Sequence, residues 1–300
     1  MRLRLWLWAL GWLAVVLLAF RGRWELVVSE LSKGAPDNYF NAAVLTLCLL
    51  WVYLRRRDLV SRMRSSRVTL PQAVLGLAMV GAALFLPQTA RFTVLGLLLC
   101  GLGLFIALFG RAAAIPGMAL AVLAVTLLIP WAISRYIRGP FALAPVLALV
   151  PLLSALGIPA LHEGMVVGVV GPSGDWVYAG INVGCAGHTA LGIMAGLFLL
   201  MMLDAPLSPR RAVPMLLLAL AGAWLQNLLR LVILFSAGHL WGEAALWSFH
   251  SYLSYILLPA WYALFAFIEL RVSPRGSVLG RASGVARPNL GQGAVEGGLA

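Results

Sequence analysis

The segment Asn182-Val183-Gly184-Cys185-Ala186-Gly187-His188 is followed by an apolar run that continues to Leu203. A run of this length and character predicts a membrane helix, and its polar start places a cysteine at the mouth of that helix. The thiolate of cysteine is a strong nucleophile, and the positive end of a helix dipole favours this ionised form. Cys185 is therefore the centre of a candidate active site, provided that polar groups from other helices reach it.

The composition places the chain among membrane proteins. Of its 300 residues, 62% are hydrophobic and 11% are charged, whereas charged residues make up about a quarter of an ordinary soluble domain. The formal net charge is +12, but the arginines flank apolar runs, as the control of membrane topology requires. No basic patch is interleaved with aromatic residues. We therefore expect a polytopic protein of the lipid bilayer that binds no nucleic acid.

Apolar runs of membrane-spanning length follow one another along the chain. They predict an all-α polytopic membrane protein with about eight transmembrane helices, in a single integral membrane domain of residues 1-273. A disordered cytoplasmic tail of residues 274-300 is expected to follow it. The first run lacks a small-residue cleavage site and is predicted to be a retained helix. The predicted spans are Leu5 to Phe20, Tyr39 to Leu54, Pro71 to Leu86, Phe92 to Phe109, Ala112 to Trp131, Val183 to Leu203, Ala212 to Phe235 and Tyr252 to Leu270.

The apolar run from Phe141 to Ile158 determines the topology. If it crossed the membrane, nine spans would place the segment before Cys185 inside and the Arg210-Arg211 loop outside, against the positive-inside rule. Pro145 and Pro151 also weaken it as a straight span. We therefore expect an interfacial or re-entrant segment. Both termini are then cytoplasmic, and Cys185 lies at the outer face of the cell (inner, cytoplasmic) membrane.

Between Glu163 and Val183 the hydrophobic pattern changes. The Val-rich run from Met165 to Val170, the turn residues Gly171 to Asp175 and the run from Trp176 to Tyr178 are typical of two short strands around a turn. They predict a short outer β-hairpin-like segment directly before the catalytic helix.

Three polar side chains of the second half fall at one depth. Cys185 begins a span that enters from the outer face, Arg230 lies near the end of an outward span, and His250 immediately precedes the last span. At 100° per residue Cys185 shares a stripe with Gly192 and Gly196, which favours close helix packing. Arg230 shares its stripe with Ala219, Ala223, Gln226 and Asn227. An arginine within a span usually faces the bundle interior, so we expect the three side chains to meet.

Each of these residues also has a purely structural interpretation. A cysteine in a membrane helix usually behaves as a small apolar residue, and we assign that role to Cys48 and Cys100. Arg230 alone is compatible with an anchor that extends to the membrane interface, and His250 alone with an interface residue. The convergence of the polar residues on one face favours a functional site.

The other histidines are treated separately. His188 follows Cys185 by one helical turn and is a second candidate for the base, whereas His162 and His239 are expected in outer loops. An outer-face cysteine without a similarly placed mate is not expected to form an intrachain disulfide.

Three short motifs follow one another in this half of the chain. They are Cys185-Ala186-Gly187 at a helix start, Asn227-Leu228-Leu229-Arg230 late in the next helix, and Phe249-His250 at the start of the last one. This order resembles the exosortase/archaeosortase family of membrane transpeptidases. Leu156-Gly157-Ile158-Pro159, Glu163-Gly164 and the Val-rich hairpin resemble the family's lead-in to its cysteine, so the resemblance covers about residues 140-270. The family commonly has Cys-Ser-Gly and an aliphatic residue, where this chain has Ala186 and His188.

The resemblance implies a cysteine protease/transpeptidase. Its substrates would be membrane-anchored exported proteins with C-terminal sorting signals, each made of a recognition motif, a transmembrane helix and a basic end. The enzyme would cleave the signal at the outer face and transfer the protein to an acceptor nucleophile. The implied roles are Cys185 as nucleophile, Arg230 as stabiliser of the thiolate or oxyanion, and His250 as general acid/base, with Asn227, His188 and Gly187 in support. This chemistry requires no metal and no cofactor.

Two other functions remain open at this point. A transporter would have polar residues spread through the depth of the bilayer or repeated broken helices, whereas here they collect at one face. A non-catalytic membrane assembly partner would keep the helical scaffold, and Ala186 and His188 are compatible with it. Cys185→Ala separates these functions, because an enzyme loses processing while a scaffold or transporter tolerates so small a change.

Overall fold

A computed structural model describes residues 2–32 and 36–272, and helices dominate it. The helices are α1 (Arg2–Ala19), α2 (Trp24–Ser32), α3 (Pro36–Leu54), α4 (Arg56–Ser65), α5 (Leu70–Leu84), α6 (Ala90–Phe109), α7 (Ala114–Tyr136), α8 (Arg138–Ala155), α9 (His188–Asp204), α10 (Pro209–Trp241) and α11 (Glu243–Val272). The strands are β1 (Ala160–Glu163), β2 (Val166–Val170) and β3 (Trp176–Gly180). Single 3-10 turns, Arg21–Arg23 and Gly110–Ala113, precede α2 and α7. The predicted cytoplasmic tail, residues 274-300, lies outside the described residues.

Local sequence signals fix several helix starts. Thr69 precedes α5 and forms a capping box with Gln72, whose side-chain oxygen accepts a 3.1 Å hydrogen bond from the Thr69 backbone N–H. Thr89 caps α6, because its hydroxyl oxygen accepts a 3.4 Å hydrogen bond from the N–H of Phe92. These side chains satisfy N–H groups that have no partner within the helix.

The long helices run between two ends of the molecule. At one end, Asp204 closes α9, forms an ion pair with Arg55 and accepts a 3.1 Å hydrogen bond from the indole N–H of Trp51. Cys185 lies beyond the other end of α9, about 25 Å away, because the 17 residues of that helix rise about 1.5 Å each. We call these the Asp204 end and the Cys185 end.

A cluster of apolar side chains from the first half of the chain lies at the Asp204 end. Leu5 and Trp8 of α1 meet Met63 of α4, Phe109 of α6 and Ala112 of the following turn. Since α4 directly follows Arg55, the start of α1 and the turn between α6 and α7 share one end of the molecule with Asp204.

The described residues contain four segments that are long and apolar enough to cross a membrane, or five if the bent α1 and α2 form one span. The four are Phe92–Tyr136, which contains α6 and α7, and Arg138–Ala155, Pro209–Trp241 and Glu243–Arg271. Shorter apolar helices are Asn38–Leu54, Leu70–Leu84 and His188–Asp204. The number of eight crossings stays a prediction.

The segment expected to be interfacial forms α8, one continuous helix that contains both Pro145 and Pro151. Its length and hydropathy suffice for a span, so the two prolines do not exclude one. Both ends of α8 nevertheless connect to elements at the Cys185 end, namely α7 before it and the sheet after it. Only Ile137 separates α8 from α7, and α7 runs antiparallel to α9, so α8 starts at the Cys185 end.

The three strands form an antiparallel sheet in the order β1-β2-β3 at the Cys185 end. The backbone N–H of Val170 donates to the carbonyl of Pro159 at 3.3 Å, and the carbonyl of Val170 accepts from His239 in the last turn of α10. The chain from α8 thus enters the sheet where α10 ends. Two strands were expected from the sequence, and β1 is an addition to them.

An apolar cluster joins this sheet to the helices below it. Val167 and Val169 of β2 are fully buried against Leu149 and Leu153 of α8 and Phe235 of α10. Burial of a large aliphatic or aromatic side chain contributes about 1.5–3 kcal/mol, so the cluster fixes the sheet to α10. Because β3 leads directly to residue 182, this packing also positions the turn that carries Cys185.

Candidate active site

Cys185 lies in a turn before α9, not in the helix itself. The turn covers residues 183–187, and α9 begins at His188. Gly187 ends the turn with φ +88°, a left-handed conformation that an α-helix does not continue through. The predicted span from Val183 therefore starts five residues too early, and Cys185 does not lie on the helical stripe assigned to it.

Gly192 and Gly196, the other members of that predicted stripe, serve helix packing. A Cβ atom on Gly192 would lie 2.5 Å from the carbonyl oxygen of Thr126 and 2.6 Å from the ring of Pro130. One on Gly196 would collide with the Thr126 hydroxyl. The two glycines allow α7 and α9 to approach closely, as small residues do in membrane helix pairs.

Short hydrogen bonds order the turn around Cys185. The side-chain oxygen of Asn182 accepts a 3.0 Å hydrogen bond from the backbone N–H of Cys185. The carbonyl oxygen of Asn182 accepts one of 2.9 Å from the N–H of Ala186. Cys185 is half-buried and carries a free thiol, whereas Cys48 and Cys100 are buried free thiols at 3% and 0% exposure. Of the three cysteines, Cys185 alone is accessible to a reactant.

Two side chains of α10 donate to the same main-chain oxygen. The Asn227 amide Nδ2 and the Arg230 Nη2 lie 2.9 Å and 3.0 Å from the carbonyl oxygen of Cys185. Asn227 is buried, and a Cβ atom on Gly187 would lie 2.7 Å from its Cγ. Asn227 and Arg230, at one end of the predicted small and polar face of α10, reach the turn. The other buried members of this face are Ala219, Ala223 and Gln226.

The other side of the Arg230 guanidinium binds α11. Nη1 donates a 2.7 Å hydrogen bond to the hydroxyl of Ser254, which is 4% exposed. Arg230 therefore joins the cysteine turn, α10 and α11, and each terminal nitrogen has its own acceptor. Ser254 was not predicted from the sequence, because one serine in an apolar helix carries no signal of its tertiary partner.

His250 lies within α11, which begins at Glu243 rather than after the histidine as predicted. His250 and Ser254 are four residues apart and so share one face of α11. Arg230 is close enough to act electrostatically on the His250 ring, which also packs edge-on against Trp247 with ring centroids 5.7 Å apart. Among the described residues, no hydrogen bond joins His250 to the Cys185 thiol. Catalytic hydrogen bonds are often long before substrate binds.

The remaining histidines occupy regular structure. His188 is buried in the first turn of α9, with its Nδ1 3.4 Å from the hydroxyl of Thr189. His162 lies in β1 and His239 in the last turn of α10, so their expected loop positions are wrong. The carbonyl of Val170 only accepts, and Nδ1 of His239 must therefore carry the proton in their hydrogen bond.

A family model described as transmembrane exosortase matches residues 33–267 of the chain. The chain belongs to the transmembrane exosortase family. No curated protein and no solved structure matches the chain significantly. The match contains α3 to α10, the sheet and most of α11, and therefore all the residues of the site. Membership of the exosortase family supports a membrane transpeptidase-like role.

The candidate site of this exosortase combines a half-exposed thiol, a fixed cation and an imidazole. The guanidinium of Arg230 is positively charged at physiological pH, and its planar fork holds two acceptors in fixed directions. Asn227 and Arg230 both bond to the main chain of Cys185, so the thiol is carried by a turn that α10 holds through two side chains. Such a turn offers a reacting group in a defined position.

Proposed function

We propose that this exosortase is a membrane-embedded cysteine protease/transpeptidase that cleaves C-terminal sorting signals of exported proteins and transfers them to an acceptor. The observation that carries the proposal is the convergence of Cys185, Arg230 and His250, the three motif residues, on the Cys185 end of the helix bundle. Family membership supports the reaction class, and the accessible thiol on a held turn supports Cys185 as its nucleophile.

The reaction begins at the thiol of Cys185. His250 takes its proton, and the thiolate attacks the scissile carbonyl carbon to form a tetrahedral intermediate with a new carbon–sulfur bond. The guanidinium of Arg230 stabilises the negative charge that develops on the thiolate and then on the oxygen. The carbon–nitrogen bond breaks, His250 donates its proton to the leaving amine, and a thioacyl-enzyme remains.

The second half of the reaction transfers the acyl group. The leaving fragment carries the transmembrane helix and the basic end of the sorting signal. An acceptor nucleophile attacks the thioester carbonyl and loses a proton to His250, the carbon–sulfur bond breaks, and the proton passes to the sulfur to regenerate the thiol of Cys185. Attack by water in place of this acceptor would hydrolyse the thioester. Hydrolysis and transpeptidation therefore share the thioacyl-enzyme intermediate.

We place the site at the outer face of the cell membrane. The arginines of residues 55-67, Arg111 and Arg210-Arg211 belong to the Asp204 end, and the positive-inside rule assigns that end to the cytoplasm. Arg135 and Arg138 are exceptions at the Cys185 end. The start of α8 and the sheet that follows it both lie at the Cys185 end, which supports our proposal that α8 does not cross and that the chain crosses the membrane eight times.

The proposal is tested by comparing the C termini of exported membrane-anchored proteins in cells that express wild-type protein or Cys185→Ala. If the chain is the enzyme, sorting signals remain uncleaved in cells that express Cys185→Ala. Cells that express Cys48→Ala are the matched control and are expected to process the signals normally. Normal processing with Cys185→Ala would show that the chain is a non-catalytic assembly partner or a transporter. A mass adduct on Cys185 in wild-type protein would identify the acylated residue directly.

A further inference from the structure

A polar cavity of ≈ 460 Å³ lies at the Asp204 end, far from Cys185. Its wall is formed by the end of α4, the segment to α5, the capped start of α5 and the turn between α6 and α7. Three arginines line it: Arg62, Arg67 and Arg111. All three are exposed, so the cavity is accessible from the aqueous side.

One wall of the cavity is held in place by close packing between the backbone of Gly110 and the start of α5. Gly110 adopts φ +53°, and a Cβ atom there would lie 2.6 Å from the side-chain oxygen of Gln72. The same Gln72 oxygen accepts the hydrogen bond from Thr69 that caps α5. The turn that carries Arg111 is thus held against the start of α5, opposite Arg67.

No carboxylate balances the charge of this cavity. None of its lining residues is acidic, and Asp58, the acidic residue of α4, pairs with Arg55. Within the described residues, none of the three cavity arginines forms an ion pair. Three guanidinium groups around one space repel each other and together attract a multivalent oxyanion, whose oxygens match their planar forks.

The position of the cavity favours a lipid as the source of that anion. It lies at the point where the apolar helices α6 and α7 meet, next to the cluster that contains Trp8 and Phe109. The ends of membrane helices lie at the level of lipid phosphates, and anionic headgroups are attracted to basic residues there. We propose that the cavity binds the phosphate of an anionic phospholipid headgroup, held by Arg62, Arg67 and Arg111.

Binding of short-chain phosphatidylglycerol to the purified full chain, measured by native mass spectrometry against phosphatidylcholine, tests this site. Arg67→Gln and Arg111→Gln each remove one charge-assisted contact and are expected to weaken phosphatidylglycerol binding roughly tenfold. Arg64→Gln removes the same charge from an exposed position of α4 that does not line the cavity, and it is expected to change binding less than twofold. Ser66→Asp leaves every arginine in place but adds a carboxylate at the wall, and it should also weaken binding.

Three results would overturn the site. An equal loss with Arg64→Gln would mean diffuse attraction of the whole basic surface. Equal binding of phosphatidylglycerol and phosphatidylcholine would exclude recognition of the anionic headgroup. Inorganic phosphate that binds the lipid-free protein more tightly than phosphatidylglycerol would assign the cavity to a soluble anion instead.

Discussion

The Nη2 of Arg230 donates a 3.0 Å hydrogen bond to the carbonyl oxygen of Cys185. The cation of the site is therefore attached to the main chain of the proposed nucleophile. Its second bond, from Nη1 to Ser254, fixes the guanidinium to α11 as well. One side chain thus supplies both the position of the turn and the positive charge beside the thiol.

Arg230→Lys keeps the positive charge and removes the fork. One ammonium group does not reproduce two directed bonds to Cys185 and Ser254, so we expect sorting-signal processing to fall by about 100-fold, the effect of losing one transition-state donor. Processing is measured from the C termini of exported proteins. Arg138→Lys, at an exposed position of the Cys185 end, is the control. Wild-type processing by Arg230→Lys would show that charge alone is needed.

The hydrogen bond from Arg230 to Ser254 is tested by removing the accepting hydroxyl. Ser254→Ala leaves Arg230 without its acceptor on α11, and we expect a roughly tenfold decrease in processing, because a bond to a charged group contributes about 1.5–3 kcal/mol. Ser251→Ala, on the same helix, removes an exposed hydroxyl that bonds only to the carbonyl of Trp247. Equal effects of the two changes would contradict the role of Ser254.

Two asparagines hold the cysteine turn, one as a hydrogen-bond donor and the other as an acceptor. Asn227 donates from Nδ2, whereas Asn182 accepts at Oδ1. Aspartate keeps the acceptor and loses the donor, so Asn227→Asp should impair processing at least tenfold while Asn182→Asp stays within about twofold of wild type. Both variants are measured in the same processing assay. Loss of processing in Asn182→Asp with retention in Asn227→Asp would reverse the assignment.

Gly187 is predicted to be irreplaceable. Gly187→Ala puts a side chain at φ +88° and against Asn227, which costs about 1–3 kcal/mol of stability locally and displaces the turn. Thermal unfolding and processing should both be impaired. Gly180→Ala is the control, since a Cβ atom there has no neighbour within 4 Å and the backbone has no positive φ. An unaffected Gly187→Ala variant would rule out the described turn.

The sequence predicts the membrane class, most helices and the motif residues, because these depend on composition, periodicity and local order. It does not predict where the site helices begin. The backbone of Gly187 starts α9 after Cys185, and the apolar residues before His250 extend α11 backwards to Glu243. The start of a helix depends on backbone φ values and on tertiary packing, and a short stretch of sequence determines neither.

Tertiary pairing accounts for the other differences. The segment Ala160–Glu163 has no β-branched residue and becomes β1 only because it pairs with β2. Ser254 acquires its role from Arg230, which lies 24 residues earlier in the chain. The other acceptor of Arg230 is the backbone oxygen of Cys185, and no side-chain motif indicates such a partner.

Labelling of Cys185 by a membrane-impermeant thiol reagent in intact cells tests the central claim most directly. The protein carries Cys48→Ala and Cys100→Ala, so that the half-exposed thiol alone reacts. An accessible outer-face nucleophile predicts labelling without permeabilisation, and slower labelling when Arg230→Ala removes the charge that stabilises the thiolate. Labelling only after permeabilisation would place Cys185 in the cytoplasm, and transfer of exported proteins by this site would be excluded.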